Sequence, residues 1–398
     1  MGGRRLLVLG AGPAQLGLLR AAHGRGLFVI ACDRDPLAVG FEYADRRAIV
    51  STEDEPAVGQ LAEAERVQGI VSPGSDWPVA IAARVAARLG LPHPLKPDVA
   101  AVAVSKTRQR ERFAAAGVPQ PRWAQSPDAA AEIGFPCVVK AADRQGQRGL
   151  TLVRDPAELA GAVEHALRES RSGSLVVEEL VEGPEVTVNA FSVDGEFHAL
   201  TVTDRLTADP PAFGVALAHA WPSEAADGAV EVARLAAEAV GVLNGPTYTQ
   251  VRLGPDGPRV MELAARLGGG HDAELCLAAL GTDLNGLALA TALGETVEPL
   301  RPQPQAGGAC VSFIVPPEGE LAAVEGLVEA LEVDGVLDAA VYRRPGWTFG
   351  PLRRGSDRAG FVLARGDSRD DALVRAARAI QGVRLEVADV EARVQTQA

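Results

Sequence analysis

Residues 136–153 read PCVVKAADRQGQRGLTLV, two apolar strands joined by a glycine-rich loop. The first strand carries Lys140, and the loop contains Gly146 and Gly149. Glycine tolerates positive φ angles and lets backbone amides approach an anion. The stretch therefore predicts a phosphate-binding loop that acts as a mobile lid, with an ordinary glycine hairpin as the alternative.

Lysine is rare in this chain, and its three positions are informative. Only Lys96, Lys106 and Lys140 are lysines among 39 lysines and arginines. Lys106 starts a predicted helix that Ser105 caps, and a cation in the first turn opposes the helix dipole by about 0.3–1 kcal/mol. We therefore expect an anion beside Lys106, and a compact ammonium suits a crowded phosphate site. Codon bias with three chance survivors is the alternative, and Lys96, in a proline loop, is its example.

Acidic residues crowd a short segment between two predicted strands. Residues 178–185 contain four glutamates, and apolar strands precede and follow them. Such a cluster usually marks a solvated edge. Its place between two buried strands instead favours a hinge with a binding role.

A predicted hairpin over residues 247–263 places two oxygen donors together. If its turn is symmetric about Asp256, Gln250 lies opposite Glu262, with the side chains about 5 Å apart on one face. Two such donors can share a hard cation. Arg266 continues this face if the strand extends that far. The alternative is a surface ion pair between Glu262 and Arg266.

The N-terminal 95 residues predict a parallel α/β unit. A strand enters the glycine-rich turn 10–17, then a helix and a second buried strand follow. The glycine spacing departs from the dinucleotide fingerprint by one residue, so it is weak evidence for a nicotinamide or flavin site. The loop 72–76 ends another strand, where Ser75 or Asp76 either contacts substrate or caps a helix.

Composition narrows the class of protein. The 398 residues are 47% hydrophobic with a net charge of −13, which argues against nucleic-acid and anionic-membrane surfaces and favours small-molecule chemistry in two or three domains. No stretch is long and apolar enough to span a membrane. The four cysteines are far apart in sequence, which predicts a reduced cytoplasmic protein with each cysteine in a core. They are Cys32, Cys137, Cys276 and Cys310.

Taken in chain order, these motifs resemble the ATP-grasp superfamily. The carriers are Lys106, Lys140 with its glycine loop, the segment 178–185, and Glu262 followed by Arg266-Leu267-Gly268-Gly269-Gly270. The resemblance implies an α/β fold: a pre-ATP-grasp parallel α/β domain, the ATP-grasp fold, and a C-terminal α+β domain. The implied boundaries are 1–95, a linker 96–104, 105–300 with a lid at 118–180, and 305–398.

The C-terminal part resembles that of L-amino acid ligases, and the hinge is similar to that of D-alanyl-D-alanine ligases. The former likeness rests on Asp357-Arg358-Ala359-Gly360 and on Gly366-Asp367-Ser368, which enters a helix carrying Ala372. The latter rests on Val181-Glu182-Gly183-Pro184-Glu185.

By this resemblance each motif acquires an expected role. ATP phosphates are expected at Lys106, Lys140 and the loop with Gly146, Arg148 and Gly149. Adenine is expected at Glu178, Glu179 and the Val181 backbone, and ribose at Glu185. Mg²⁺, with Mn²⁺ as an alternative, is expected at Gln250 and Glu262. The reacting carboxyl or its phosphate is expected at Arg266, with Arg205 as a further candidate.

The implied activity is an ADP-forming carboxylate-amine ligase that acts through an acyl phosphate. Its partners are a small carboxylate, such as an amino acid, and an amine, and a homodimer is left open. His219 either orients the second substrate or is structural. The alternatives are a purine-pathway ligase or carboxylase acting on a ribonucleotide, a nicotinamide-dependent reductase, and a nucleotide-binding pseudoenzyme. For the ribonucleotide alternative, no second lysine or arginine cluster is evident in the sequence.

Two departures from the family pattern concern the metal. The family often has a carboxylate where Gln250 stands and usually has asparagine where Ala264 stands. Fewer anionic ligands weaken the binding of a hard cation. We therefore expect a metal site that depends on Glu262 and on the charge of ATP itself.

Overall fold

The computed structural model describes residues 3–209 and 212–388. Its N-terminal part is a parallel four-stranded sheet with strand order β3-β2-β1-β4. The elements are β1 (Arg5–Leu9), α1 (Leu16–Gly24), β2 (Phe28–Asp33), β3 (Arg46–Ile49), α2 (Glu55–Ala64), β4 (Gly69–Val71) and α3 (Asp76–Leu89). The predicted parallel α/β unit is confirmed.

The predicted linker 96–104 contains a helix, α4 (Pro97–Ala103). Proline at the first helical position is preorganised for a helix, and the alanines and valines that follow give a face that is buried in a core. The next helix, α5 (Lys106–Ala116), has the predicted bounds: Ser105 Oγ accepts from the Arg108 amide, and Gly117 ends it with φ +69°. Prolines were therefore a poor guide to irregular structure here.

A small antiparallel sheet, with strand order β5-β8-β6-β7, spans the segment for which a lid is predicted, and we keep the name lid for it. Its elements are β5 (Trp123–Ala124), α6 (Ala130–Ile133), β6 (Cys137–Ala141), β7 (Leu150–Val153), α7 (Leu159–Glu169) and β8 (Leu175–Glu179). Lys140 lies on β6, and the glycine loop joins β6 to β7. The lid has its own apolar core between this sheet and α7.

An eight-stranded sheet connects the middle of the chain to its C-terminal part, in the order β13-β12-β9-β10-β11-β14-β18-β16. Its first half and the helices that follow are β9 (Glu185–Val193), β10 (Glu196–Thr207), β11 (Ala216–Trp221), α8 (Ala229–Val240), β12 (Gly245–Gly254), β13 (Gly257–Ala264), α9 (Asp272–Leu280) and α10 (Leu284–Ala292). The largest core joins α1 and α9–α10 to this sheet.

The C-terminal part contributes three strands to that sheet and forms a small sheet of order β17-β15-β19. Its elements are β14 (Gly308–Ile314), β15 (Gly319–Glu325), α11 (Leu327–Leu331), β16 (Val336–Val341), β17 (Thr348–Phe349), β18 (Gly360–Gly366), α12 (Arg369–Gly382) and β19 (Arg384–Ala388). Ser368 caps α12 and Ala372 is buried in it. Residues 389–398 of the predicted C-terminal domain lie outside the described residues, and the domain boundaries stay predictions.

All four cysteines are buried and unpaired, as predicted. Within the described residues, no single helix has the length and apolar composition to cross a membrane. The helices α9 and α10 meet that test only when they are taken together, and they are bent by 118° at their junction.

Candidate active site

A cavity of about 100 Å³ lies between the lid and the β12–β13 hairpin. It brings together seven predicted site residues from separate motifs: Lys106, Lys140, Gly146, Arg148, Gln250, Glu262 and Arg266. This cavity is called the lysine cavity below. Gly149 lies at the end of the loop beside it and has φ +67°, as its predicted role requires.

Lys106 is held by a carboxylate at the start of α5. Its Nζ donates to Glu262 Oε1 over 2.9 Å and also to the carbonyl oxygen of Arg144. Burial alone would lower the pKa of Lys106, but the charges of Glu262 and Asp76 outweigh burial and raise the pKa above its usual value. The anion expected beside this helix start is therefore supplied by the protein's own Glu262.

Lys140 is held by a second carboxylate on the neighbouring strand. Its Nζ donates to Glu178 Oε2 over 2.6 Å, while Glu178 Oε1 accepts from Arg110 Nε over 2.9 Å. Burial would raise the pKa of Glu178, but the two cations outweigh burial and lower the pKa to about 2. Both oxygens of Glu178 are thus occupied by cations, and the carboxylate that was expected to contact adenine lies against Lys140.

The glycine loop has the conformation that its sequence predicts. Gly146, Gln147 and Gly149 all have positive φ angles, between 63° and 67°. The loop lies against the N-terminal part, because Gln145 accepts from the Asp76 amide and donates to the carbonyl oxygen of Gly74. The loop residues 145–148 form one side of the lysine cavity.

Gln250 and Glu262 are cross-strand partners, so the predicted pair is confirmed. The reason differs from the expected symmetric turn. The hairpin turns tightly at Pro255 and Asp256, and an extra residue, Met261, bulges from β13 before Glu262. The bulge restores the pairing that a tight turn alone would have shifted by one residue.

Arg266 lies beyond the end of β13, and its partner is not Glu262. Its Nε donates to Asp76 Oδ1 over 2.7 Å, and its guanidinium lies 5.6 Å from the centre of the Tyr248 ring. The side chain is 11% exposed, so the alternative of a surface pair with Glu262 is wrong. Asp76 thus has a place at the site, whereas Ser75 occupies the N-cap position of α3 with no side-chain capping bond.

The glutamates of the hinge are paired with arginines. Glu179 binds Arg122 and Arg259, and Glu185 binds Arg205 over 2.5 Å and Arg252 over 3.0 Å. The carbonyl oxygen of Val181 accepts from Arg252 over 3.2 Å. None of these three hinge residues lines the lysine cavity or the cavity beside it. Their nucleoside roles stay predictions, and the two glutamate side chains and the Val181 carbonyl here have arginine partners.

A second cavity, of about 340 Å³, adjoins the first and shares Arg266, Gln250 and the lid loop with it. It is called the arginine cavity below. Seven arginines line it, so the expectation that no second cationic cluster exists is wrong: Arg144, Arg148, Arg171, Arg205, Arg266, Arg343 and Arg358. They come from distant segments, which is why the sequence did not reveal the cluster.

Four of these arginines have no carboxylate partner among the described residues. Arg144 and Arg358 donate only to backbone carbonyl groups, Arg343 lies over Trp347, and Arg148 has no partner there. Burial lowers the pKa of Arg148, and the neighbouring guanidinium groups, Arg354 first, lower it further. Concentrated positive charge without a counterion suits an anionic ligand.

His219 lines the arginine cavity and opposes Arg205 across β10 and β11. Its Nδ1 is buried without a hydrogen-bond partner in the described structure, 3.9 Å from Asp272 Oδ1. Burial lowers the pKa of His219 to about 4. The ring is therefore neutral near pH 7, and its role towards the second substrate stays a prediction.

The chain is similar to known proteins in its family and in its structure. Residues 101–299 match the family model "Carbamoyl-phosphate synthase L chain, ATP binding domain", and residues 312–388 match "L-amino acid ligase C-terminal domain 2". The formate-dependent phosphoribosylglycinamide formyltransferase of Burkholderia thailandensis is 30% identical over 406 residues, covering 96% of this chain and 95% of that protein. An uncharacterised protein of Sinorhizobium fredii, y4rH, is 29% identical, covering 88% of this chain and 76% of that protein.

Two solved structures illustrate the likeness of fold. The L-amino acid ligase from Bacillus licheniformis has a TM-score of 0.81 at 21% identity, covering 98% of this chain and 100% of that one. The N5-carboxyaminoimidazole ribonucleotide synthetase from Thermotoga maritima has a TM-score of 0.73 at 20% identity, covering 97% and 100%.

Proposed function

Because this chain belongs to the ATP-grasp superfamily of ligases, we propose that it is an ADP-forming carboxylate-amine ligase that acts through an acyl phosphate. Its carboxylate substrate is an amino acid or a similar small acid. The observation that carries the proposal is the position of Arg266, which lines both the lysine cavity and the arginine cavity. A group transferred from one cavity to the other passes this guanidinium.

The lysine cavity takes the phosphates of MgATP. Lys106 and Lys140 would neutralise phosphate charge, the amides of the glycine loop would donate to phosphate oxygens, and Gln250 with Glu262 would hold the metal. With a phosphate at Lys106, the Glu262 carboxylate that now binds this lysine would be free to hold Mg²⁺. This donor set suits Mg²⁺, which is held by one or two protein oxygens together with substrate phosphates and water.

The arginine cavity takes the carboxylate and then the amine. A carboxylate oxygen attacks the γ-phosphorus of ATP, ADP leaves, and the acyl phosphate forms beside Arg266. The amine then attacks the carbonyl carbon, releases phosphate and loses a proton. The lid loop keeps water away from the acyl phosphate, which would otherwise hydrolyse.

A second candidate is a ligase that acts on a phosphorylated ribonucleotide. The four arginines without a carboxylate partner favour it, because a phosphate carries more charge than a carboxylate. The similarity to the formate-dependent phosphoribosylglycinamide formyltransferase supports it as well. The two candidates differ in whether the amine substrate must carry a phosphate.

The test is a matrix of carboxylates against amines, with and without a phosphoribosyl group, scored by release of ADP and phosphate. Hydroxylamine should trap the acyl phosphate as a hydroxamate in the presence of ATP, Mg²⁺ and the right carboxylate alone. Production of AMP and pyrophosphate would show an adenylate and exclude the acyl phosphate.

The remaining alternatives have their own outcomes. A pseudoenzyme would bind ATP, measured as a rise in melting temperature, without releasing ADP with any pair in the matrix. A reductase would be stabilised by NADH instead. A homodimer and a cytoplasmic location stay predictions, and the mass of the protein in solution tests the first.

A further inference from the structure

A carboxylate, an imidazole and a phenol form a chain that ends at the arginine cavity. His271 Nε2 lies 2.8 Å from Tyr342 Oη, and His271 Nδ1 lies 3.6 Å from Glu274 Oε2. Glu274 is itself held by Asn285 Nδ2, which donates to Oε1 over 2.8 Å. Tyr342 lines the arginine cavity together with Arg266, whereas His271 and Glu274 do not.

The backbone is shaped to hold this chain of groups. His271 has φ +61° at the N-cap of α9, a strained conformation for a residue with a side chain. Its ring stacks on Phe361, with 3.6 Å between the ring centres. Gly17, the last glycine of the N-terminal turn, leaves room for Glu274, because a Cβ there would overlap the carboxylate. The turn that resembled a dinucleotide site thus makes room for Glu274.

The partners of His271 determine where its proton lies. A carboxylate only accepts hydrogen bonds, so Glu274 favours a proton on Nδ1 of the neutral ring. Nε2 then has a lone pair and accepts from the Tyr342 hydroxyl. The Tyr342 proton is committed to His271, and its oxygen keeps lone pairs for a donor in the cavity.

The proposed reaction needs a proton acceptor, because an amine arrives as an ammonium ion and attacks as the free base. The other acidic or basic side chains at the arginine cavity are poorly suited. Asp76 is paired with Arg266, and Glu53 and Asp143 both bind Arg171. His219 has its pKa lowered to about 4 by burial and cannot hold a proton near pH 7.

We propose that Tyr342 Oη binds the attacking ammonium group and relays its proton to His271, with Glu274 stabilising the imidazolium that forms. This inference rests on the proposed ligase function. The ammonium N–H bond breaks as its proton joins Oη, the Tyr342 proton moves to Nε2, and the amine lone pair is released for attack. Tyr342 is neutral before and after the transfer, and the proton later leaves His271 for solvent.

The surroundings of the relay favour this sequence. Burial raises the pKa of Tyr342, so the phenol passes a proton on and does not persist as a phenolate. The charged groups that act on it are Arg358, Glu274 and Asp338. Burial would raise the pKa of Glu274, but its contacts with His271 and Asn285 outweigh burial and lower that pKa, so this carboxylate stays ionised.

The kinetic test compares two nucleophiles. Hydroxylamine is largely unprotonated at neutral pH and needs no base, whereas an ordinary amine does. With the carboxylate and amine that release the most phosphate in the matrix, Tyr342→Phe should lower ligation by about 10²–10⁴-fold. Hydroxamate formation should stay within about twofold of wild type. The loss in ligation should shrink as pH rises, because more of the amine is then unprotonated.

Glu274→Gln is the sharper variant, because it keeps the size and the bond to Asn285. Its amide can donate to His271 Nδ1, which moves the ring proton to Nε2 and blocks acceptance from Tyr342. We expect Glu274→Gln, like Tyr342→Phe, to lower ligation of the ordinary amine and to leave hydroxamate formation nearly unchanged. Tyr43→Phe is the matched control, since its hydroxyl binds only Arg20 among the described residues and lies outside both cavities. It should leave both reactions unchanged.

A spectroscopic test needs no substrate. The ¹⁵N chemical shifts of the histidine rings, assigned with a His271→Asn variant, should show the Nδ1–H form of His271 in wild type and the Nε2–H form in Glu274→Gln. An Nε2–H form in wild type, or equal losses with both nucleophiles in Tyr342→Phe, would overturn the relay alone. Absence of hydroxamate in wild type with every carboxylate would overturn the ligase proposal together with the relay.

Discussion

The lysine cavity and the arginine cavity share a wall but treat charge in opposite ways. Each lysine of the first has its own carboxylate, Glu262 for Lys106 and Glu178 for Lys140. In the second, Arg343 and Arg358 have no carboxylate partner among the described residues, and Arg148, which lines both cavities, has none either. The two lysines of the first cavity are thus neutralised by the protein itself, whereas part of the guanidinium charge of the second is left for a ligand.

The difference concerns how each ligand binds. In the lysine cavity an incoming phosphate must displace Glu262 from Lys106. The free energy of phosphate binding therefore depends on whether the displaced carboxylate binds Mg²⁺. In the arginine cavity an anion meets unpaired guanidinium groups and displaces only water. Substitutions of Glu262 and the lysines should therefore change turnover and metal dependence, whereas substitutions of the unpaired arginines should change substrate affinity.

The largest effect is expected for Glu262→Gln. The amide keeps an oxygen for Lys106, so the fold should persist, but the Gln250–Glu262 pair loses its carboxylate for Mg²⁺. Turnover should fall by about 10³-fold or more, with the lysine-dependent part of ATP affinity retained. Phosphate release measured against Mg²⁺ concentration tests this, and wild-type metal dependence in the variant would refute the metal assignment.

Alanine at Lys106 or Lys140 should come next. Either change removes a charge from the phosphates and should cut turnover by about a hundredfold or more, with weaker ATP binding by calorimetry. Lys140→Ala is the cleaner variant, because Arg110 still neutralises Glu178. Lys106→Ala leaves Glu262 without its cation, so its melting temperature should also be lower.

Lys96→Ala is the control for both lysine variants. Lys96 lies at the N-cap of α4, outside both cavities, and should behave as wild type. Equal ATP affinity in all three variants would remove the distinction between the cavities.

A smaller effect is expected for Arg358→Gln and Arg343→Gln. Each removes a charge from the arginine cavity and should raise the KM of the anionic co-substrate about 10- to 100-fold, with ATP affinity unchanged. Arg344→Gln is the matched control, since Arg344 is exposed and does not line the cavity. A change in ATP affinity without a change in KM would reverse the assignment of the two cavities.

Gains of a few fold are expected when the metal ligands are restored. Gln250→Glu adds a carboxylate opposite Glu262, and Ala264→Asn adds the oxygen that the family usually has there. Both should lower the Mg²⁺ concentration needed for half-maximal activity. An unchanged or higher requirement in both variants would show that the β12–β13 hairpin does not bind the metal.

The smallest effect concerns pH. The pKa of His219 is about 4 in the folded chain against an ordinary value of 6.5, so below pH 6.5 the unfolded chain binds more protons. The neutral ring therefore contributes stability above pH 6.5 that is lost as pH falls towards 4. Between pH 4 and 6.5 the free energy of unfolding of the wild type should rise with pH, with a contribution to the slope of about one bound proton from His219. His219→Gln should lack this contribution when the free energy is measured by denaturant titration at several pH values. An equal slope in the variant would contradict a buried neutral ring.

The order of motifs along the chain was enough to predict the fold and the lysine cavity. A turn assumed to be symmetric about Asp256 also predicted the pairing of Gln250 with Glu262, although the turn is tighter than that and the bulge at Met261 was not foreseen. Side-chain pairs between residues far apart in sequence could not be predicted. Lys106 and Glu262 are 156 residues apart, and the arginine cavity draws on the lid, the large sheet and the C-terminal part. The sequence pattern around each of these residues reports only how its own strand or helix packs. It therefore does not show which distant residue the side chain will meet.

The eight-stranded sheet has a consequence for the size of the substrates. Gln250 on β12 and His219 on β11 line the same cavity with β9 and β10 between them, a separation of roughly 14 Å at ordinary strand spacing. Backbone hydrogen bonds link every strand in this row, so the interval cannot widen without breaking them. For the proposed ligase the sheet therefore limits length: with MgATP bound at one end, the carboxylate and the amine together must fit a fixed span, whatever the conformation of the lid.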